Sequence, residues 1–227
     1  SDKICSEVST LVGIMGILPH EVKPALKAMQ LTLDIGELLK RRIVRGVIGR
    51  NEVVVIHGCI GKVETAMLTQ ALIDKFEVSC VFLVGMAGAL DPDVRVGDIV
   101  AGTEYSECDL NTNIPVKSRI KPPQESIHKI AESTNAKFGL ITSADTFIAD
   151  DKLANNIYRE TGALCIDMDS AAAAKVCLEN DVDFMSIKTI VDRSGSDAMR
   201  EFEKKYMSIA PVAAAELVRV LNTFCVE

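Results

Sequence analysis

The sequence has no tryptophan, three tyrosines and seven phenylalanines, so any core built from it is mostly aliphatic. Three histidines are too few and too scattered for a His-rich metal cluster. None of the seven cysteines pairs at Cys-x-x-Cys spacing, which excludes a zinc ribbon and a thioredoxin-type motif. Cysteines in apolar runs, such as Cys80 and Cys165, fit small buried hydrophobes in a reducing compartment, so a cytoplasmic location is expected. The longest charge-poor apolar stretches, Val8 to His20 and Val78 to Leu90, fall short of the roughly 20 residues that cross a membrane. The first residues carry one lysine and no small-residue cleavage pattern, unlike a signal peptide. Basic residues are in deficit, 25 against 32 acidic, for a net charge of −7. Binding to a nucleic-acid backbone is therefore not expected, and Lys40-Arg41-Arg42 reads as a solvated face.

What is present is ordinary globular material: 227 residues, 48% hydrophobic and 25% charged. No linker or repeat divides it, so residues 1–227 are read as one domain. Strand-like runs alternate with helical ones. A buried strand is expected over Ser9 to Ile17, then a helix over Glu21 to Gln30 with Pro24 in its first turn. Ile43 to Ile48 and Glu52 to His57 read as a strand pair, followed by a helix over Lys62 to Lys75. Val78 to Val84 is an apolar strand running into Gly85-Met86-Ala87-Gly88, and Val96 to Glu104 is another. Asn111 to Gln124 reads as a loop, Glu125 to Thr134 as a helix and Phe138 to Thr142 as a strand. Ala163 to Met168 and Phe184 to Val191 are strands around an alanine-rich helix, Ser170 to Glu179. The last helix starts near Asp197 and is interrupted at Pro211. The pattern predicts an α/β fold, three-layer α/β/α with a central mixed β-sheet.

In such sheets small ligands bind beyond the carboxyl ends of the strands. Four strand ends carry suggestive residues: Gly13 to Gly16 with Glu21 close behind, Gly85 to Gly88, Asp167-Met168-Asp169, and Asp192. Separated carboxyl groups with no metal-type cluster suggest acid–base chemistry, one group protonating a leaving group and one activating water. Each acid alone fits a helix cap equally well, and Met168 and Phe147 fit a core.

Seven segments, in order, resemble the 5′-methylthioadenosine/S-adenosylhomocysteine nucleosidases of the nucleoside phosphorylase superfamily. They are residues 13–22 (GIMGILPHEV), 58–63 (GCIGKV), 85–90 (GMAGAL), 96–100 (VGDIV), 143–148 (SADTFI), 166–171 (IDMDSA) and 189–192 (TIVD). The resemblance implies hydrolysis of an N-glycosidic bond to adenine and a thioribose, with no cofactor or metal. It also implies a small purine nucleoside as substrate, no membrane partner, and a homodimer. By the same resemblance Asp192 protonates adenine N7 and Glu21 activates the water. Asp169, in the Asp167-Met168-Asp169 triplet, binds the ribose hydroxyls, and Met168 packs on the sugar. Phe147 stacks on adenine and the Ile148 backbone meets its edge.

The same fold also runs phosphorolysis, which needs cationic donors for phosphate. Phosphorylases of the superfamily carry an arginine where this chain has Leu83, so hydrolysis is favoured, with Arg50 and Arg193 as the cations to watch. A phosphate-dependent phosphorylase, a nucleosidase for another purine nucleoside, and a catalytically weak nucleoside binder remain the alternatives. Three departures from the family stand out. The triplet is Asp-Met-Asp where the family has Glu-Met-Glu, and Met86 replaces a small hydroxyl residue near the sugar. The segment after Asp109 lacks the family's aromatic stretch, leaving Tyr105, Ile114 and Val116 as apolar candidates for the 5′ pocket.

Overall fold

The computed structural model describes residues 10–112 and 119–226. Its first strand, β1 (Leu11–Gly16), shows how the layers arise. Leu11 and Met15 enter one core and Val12 and Ile14 another, the period-two alternation of a strand covered on both faces. Helix α1 (Pro19–Ala28), β2 (Gln30–Leu38), β3 (Arg41–Ile48), β4 (Asn51–His57), α2 (Gly61–Phe76) and β5 (Cys80–Ala89) follow. Next come β6 (Ile99–Glu107), α3 (His128–Ser133), β7 (Lys137–Ser143), α4 (Asp151–Thr161), β8 (Cys165–Asp167) and α5 (Ser170–Glu179). The chain finishes with β9 (Asp183–Asp192), α6 (Ala198–Ile209) and α7 (Val212–Leu221).

The nine strands form one mixed sheet in the order β2-β3-β4-β1-β5-β8-β7-β6-β9. Strand β5 also pairs with β9, so β5, β8, β7, β6 and β9 close on themselves. Helices α2 and α5 pack together over one core, and α1 and α7 over the other. This is the expected α/β fold with a central mixed sheet between helical layers. Strand β1 runs parallel to β4 and β5, and β5 parallel to β9, so the carboxyl ends of β1, β5 and β9 meet on one side. That side is where a ligand site is expected.

Several expected elements shift. Helix α1 starts at Pro19, two residues early, because a proline in the first turn loses no helical hydrogen bond. Pro24 therefore lies inside the helix and not in its first turn. Strand β5 does not end at Gly85 but runs through both glycines to Ala89, paired with β9 as far as Gly88 and with β8 at Gly88 and Ala89. Helix α3 is a shorter piece than expected, and β8 has only three residues. Two elements were not anticipated. Strand β2 is an exposed edge, although Leu31, Leu33 and Ile35 alternate along it. Helix α4 is signalled by its caps, the Asp150 side chain accepting from Leu153 N–H at 2.7 Å and Gly162 closing it at φ +66°. Arg41 is no solvated charge: it donates to Gly58 O and pairs with Glu64 at 3.0 Å. No helix among the described residues is long and apolar enough to cross a membrane.

Candidate active site

A cavity of about 220 Å³ opens at these carboxyl ends. Ile17 and Leu18 come from the end of β1, Glu21 from α1, Met86 to Gly88 from β5, and Asp192 from β9. Phe147 and Ile148 enter from the loop after β7, Asp167 and Met168 from the end of β8, and Phe202 from α6. The structure thus brings Glu21, Met86, Phe147, Ile148, Asp167, Met168 and Asp192 around one space.

Glu21 occupies the first turn of α1 and is 2% exposed. Its Oε2 accepts from Ile17 N–H at 2.8 Å and Leu18 N–H at 2.7 Å, and its Oε1 from Met86 N–H at 3.1 Å. Burial pushes its carboxyl above the ordinary range, against the pull of Lys188 and these three amides. Gly85 permits the packing, since a Cβ there would stand 2.9 Å from Glu21 Oε1 and 3.3 Å from Lys188 Nζ. Met86 thus contributes twice, an amide to Glu21 and a side chain to the wall.

Asp192 ends β9 and lines the same cavity. Burial pushes it up to about 6, with Glu201 adding to the rise and the Ser194 N–H, 2.8 Å from Oδ1, opposing it. Two carboxyl groups thus face one cavity, both lifted toward neutrality by desolvation. This is the condition for proton transfer near neutral pH.

Asp169 does not line the cavity. It is fully buried, and Lys188 Nζ donates to its Oδ1 at 2.8 Å and its Oδ2 at 3.1 Å. Lys188 also lies 3.3 Å from Asp167 Oδ2. Asp167 accepts from the Ser143 and Ser170 hydroxyls. Burial works to raise Asp167, but Lys188 and these hydrogen bonds hold it below its ordinary value. Asp169 is pushed well up, by burial first and then by the neighbouring Asp167 charge. Burial works to lower the Lys188 ammonium, but the carboxylates outweigh it and hold it charged. Sequence reasoning missed Lys188 because it sits in a mostly apolar strand. A lysine at a position where both sheet faces are covered is itself the signal, since it must be paired.

Phe202 carries no signal of a site role in the sequence, yet it lines the cavity. It meets Phe147 edge-on at 6.0 Å and stacks on Tyr206 at 5.5 Å. Tyr105, expected near the 5′ pocket, is instead a core residue. It is fully buried, packs on Phe184 at 5.1 Å, and donates its hydroxyl to Gly102 O. Ile114 and Val116 lie outside the described residues. Asp145 accepts from Lys62 N–H at 2.8 Å, and the Lys62 ammonium bridges Glu107 and Asp109 at 3.0 and 2.6 Å.

No lysine or arginine lines the cavity among the described residues. Arg50 follows β3 at the opposite end of the sheet, because β4 begins at Asn51 beside the start of β1. Arg193 faces a separate polar cavity with Asp91, Asp151 and Glu201. No group of three or more His, Cys, Asp or Glu among the described residues is placed to hold a metal ion. The described cysteines are all free.

Comparison with known proteins gives consistent results. A family model described as the phosphorylase superfamily matches residues 11–225. A 5′-methylthioadenosine/S-adenosylhomocysteine nucleosidase of Thermotoga maritima is 48% identical over 199 residues, 86% of this chain and 91% of that protein. A nucleosidase of the same name from Halalkalibacterium halodurans is 30% identical over 92% of this chain and 96% of its own. Among solved structures, the Neisseria meningitidis nucleosidase of that name in complex with methylthio-immucillin-A superposes with a TM-score of 0.87. It is 22% identical, and the match covers 95% of this chain and 100% of that one.

Proposed function

This chain belongs to the phosphorylase superfamily, among its 5′-methylthioadenosine/S-adenosylhomocysteine nucleosidases, and on that premise we propose its reaction and the residues that perform it. The protein hydrolyses the N-glycosidic bond of 5′-methylthioadenosine and S-adenosylhomocysteine, giving adenine and the thioribose product. The observation that carries this reading is the pair of desolvated carboxyl groups, Glu21 and Asp192, lining one cavity that no lysine or arginine lines among the described residues.

The chemistry follows from that pair. Adenine leaves readily only if its nitrogen is neutralised. Asp192, lifted to about 6, holds a proton to give to N7 as the bond from N9 to C1′ breaks. The sugar takes on oxocarbenium character, and water adds to C1′. Glu21 accepts the water's proton, its orientation fixed by three backbone amides. A phosphate dianion in the same place would meet the Glu21 carboxylate and find no free donor of opposite charge, which supports water as the nucleophile.

Phe147 and Phe202 form an aromatic corner at the cavity wall, suited to the flat base and the apolar thioether. Met168 supplies the sugar wall. A carboxylate offers about four acceptor sites, and Lys188 takes two of those on Asp169. Asp169 therefore keeps capacity for the ribose hydroxyls, provided the bound sugar reaches past Met168.

One continuous sheet supports reading the chain as a single domain. The six described cysteines, all free, support a reducing, cytoplasmic setting. An exposed apolar stripe on and before α2, of Ile60, Val63 and Met67, runs from the cavity mouth and supports a homodimer whose interface adjoins the site.

The test is adenine release from 5′-methylthioadenosine, S-adenosylhomocysteine and adenosine, each with and without phosphate. Release from a thioether nucleoside at the same rate in both conditions is the expected result. Strict dependence on phosphate overturns the hydrolytic reading.

A further inference from the structure

Ser194 lies two residues beyond Asp192 and is 1% exposed. Its φ is +54°, in the left-handed region that disfavours residues with a Cβ. Six described non-glycine residues share a positive φ: Leu31, Leu39, Lys40, Glu77 and Asp181 are exposed, and Ser194 alone is buried. Glycine would satisfy that backbone without strain, so the retained side chain calls for a reason.

The hydroxyl supplies one. Ser194 Oγ is buried, has no hydrogen-bond partner in the protein, and lines the catalytic cavity. The Ser194 amide already holds Asp192 Oδ1, so the residue positions the acid through its backbone and leaves its side chain unspent. Gly88 makes room for both groups. A Cβ there would overlap Ser194 Oγ and stand 2.7 Å from Asp192 Oδ1. The hydroxyl and the acid therefore lie side by side over one glycine. A purine presents N7 and its 6-substituent side by side along one edge.

We propose that Ser194 Oγ is a specificity-determining group that hydrogen-bonds the 6-substituent of the purine whose N7 meets Asp192. The inference rests on the nucleosidase reading and deepens it. An orphaned buried hydroxyl costs the ligand-free protein stability, and a base carrying an amino group at C6 supplies the missing donor. The hydroxyl accepts from that amino group.

The experiment compares wild type with Ser194→Ala and Ser194→Gly in the full chain. It measures the dissociation constants of adenine and of unsubstituted purine, together with thermal unfolding without ligand. Both variants are expected to unfold no earlier than wild type, since each removes an unsatisfied polar atom, and glycine also relieves the backbone. Adenine binding is expected to weaken about five- to tenfold, the scale of one neutral hydrogen bond, with purine binding unchanged. Wild-type preference for adenine over purine that persists in both variants overturns the proposal. So does an equal loss for both bases. A wild type that neither binds adenine nor releases it from any nucleoside overturns the nucleosidase reading, and this inference with it.

Discussion

Lys188 Nζ and Asp169 Oδ1 are 2.8 Å apart, and both side chains are wholly shielded from solvent. A buried ion pair is most costly when half of it is removed, because the survivor keeps its desolvation cost without its partner. Lys188→Met strands Asp167 and Asp169 together and is expected to lower unfolding free energy by about 3–5 kcal/mol. Urea unfolding at neutral pH checks this. Asp169→Asn, which keeps a hydrogen-bond acceptor and leaves Asp167 as counter-charge, is expected to cost distinctly less.

Replacing Asp192 by Asn keeps the shape and removes the transferable proton. Turnover is expected to fall by about a hundredfold or more, the scale of losing a general acid, with the fold intact. Single-turnover adenine release and a circular-dichroism melt check the two halves of that statement. Unchanged turnover would remove Asp192 from the mechanism.

The same residue gives a signed pH dependence of stability. Its carboxyl titrates at about 6 when folded against 3.8 as the ordinary value, so the folded state binds more protons between those limits. Stability from this group is thus lost as pH rises from about 4 to about 6, then levels off. Asp192→Asn is neutral throughout. Relative to wild type it is expected to gain stability across that window and hold the gain at pH 7. Unfolding free energies at pH 4, 5, 6 and 7 for both proteins test it, and a flat difference counts against a raised carboxyl.

Gly85→Ala places a methyl 2.9 Å from Glu21 Oε1 and 3.3 Å from Lys188 Nζ. Three amides pin the glutamate, so it cannot move aside without breaking one of them. Turnover is expected to fall at least tenfold, the scale on which a displaced catalytic group slows a reaction. Thermal stability should change little by comparison. Steady-state kinetics with a parallel melt distinguish the two.

Phe202→Ala removes the ring that meets Phe147 edge-on at the wall. The Michaelis constant for thioether nucleosides is expected to rise about tenfold, with a smaller change for adenosine, which lacks the thioether. An equal rise for both would assign Phe202 to the base.

Much of this was legible because the strands announce themselves. Val78 to Val84 is apolar but for Ser79 and runs into β5, and Phe184 to Val191 is mostly apolar and lies within β9. The position of Pro211 marked the break between α6 and α7. What escaped was held by tertiary partners. Strand β2 carries a short alternation at Leu31, Leu33 and Ile35, but these side chains are mostly exposed and Gly36 interrupts the run. The closure of β5 onto β9 is a long-range pairing that no local window contains. Lys188 illustrates the same limit within the site. A sequence shows a charge in an apolar strand, and only the fold brings it to the two aspartates that make it tolerable.

Strand β9 bears both Lys188 and Asp192, four residues apart, and its pairing with β5 shifts register between Ile190 and Asp192. It is hydrogen-bonded to β5 on one flank and β6 on the other. The strand therefore acts as a ruler between Asp192 and the cation behind Glu21. The aromatic corner stands apart from it, on a loop and a helix face. Substitutions there can retune which 5′ group is welcomed while the ruler stays fixed. Descendants of this chain can thus change diet without relearning how to cut.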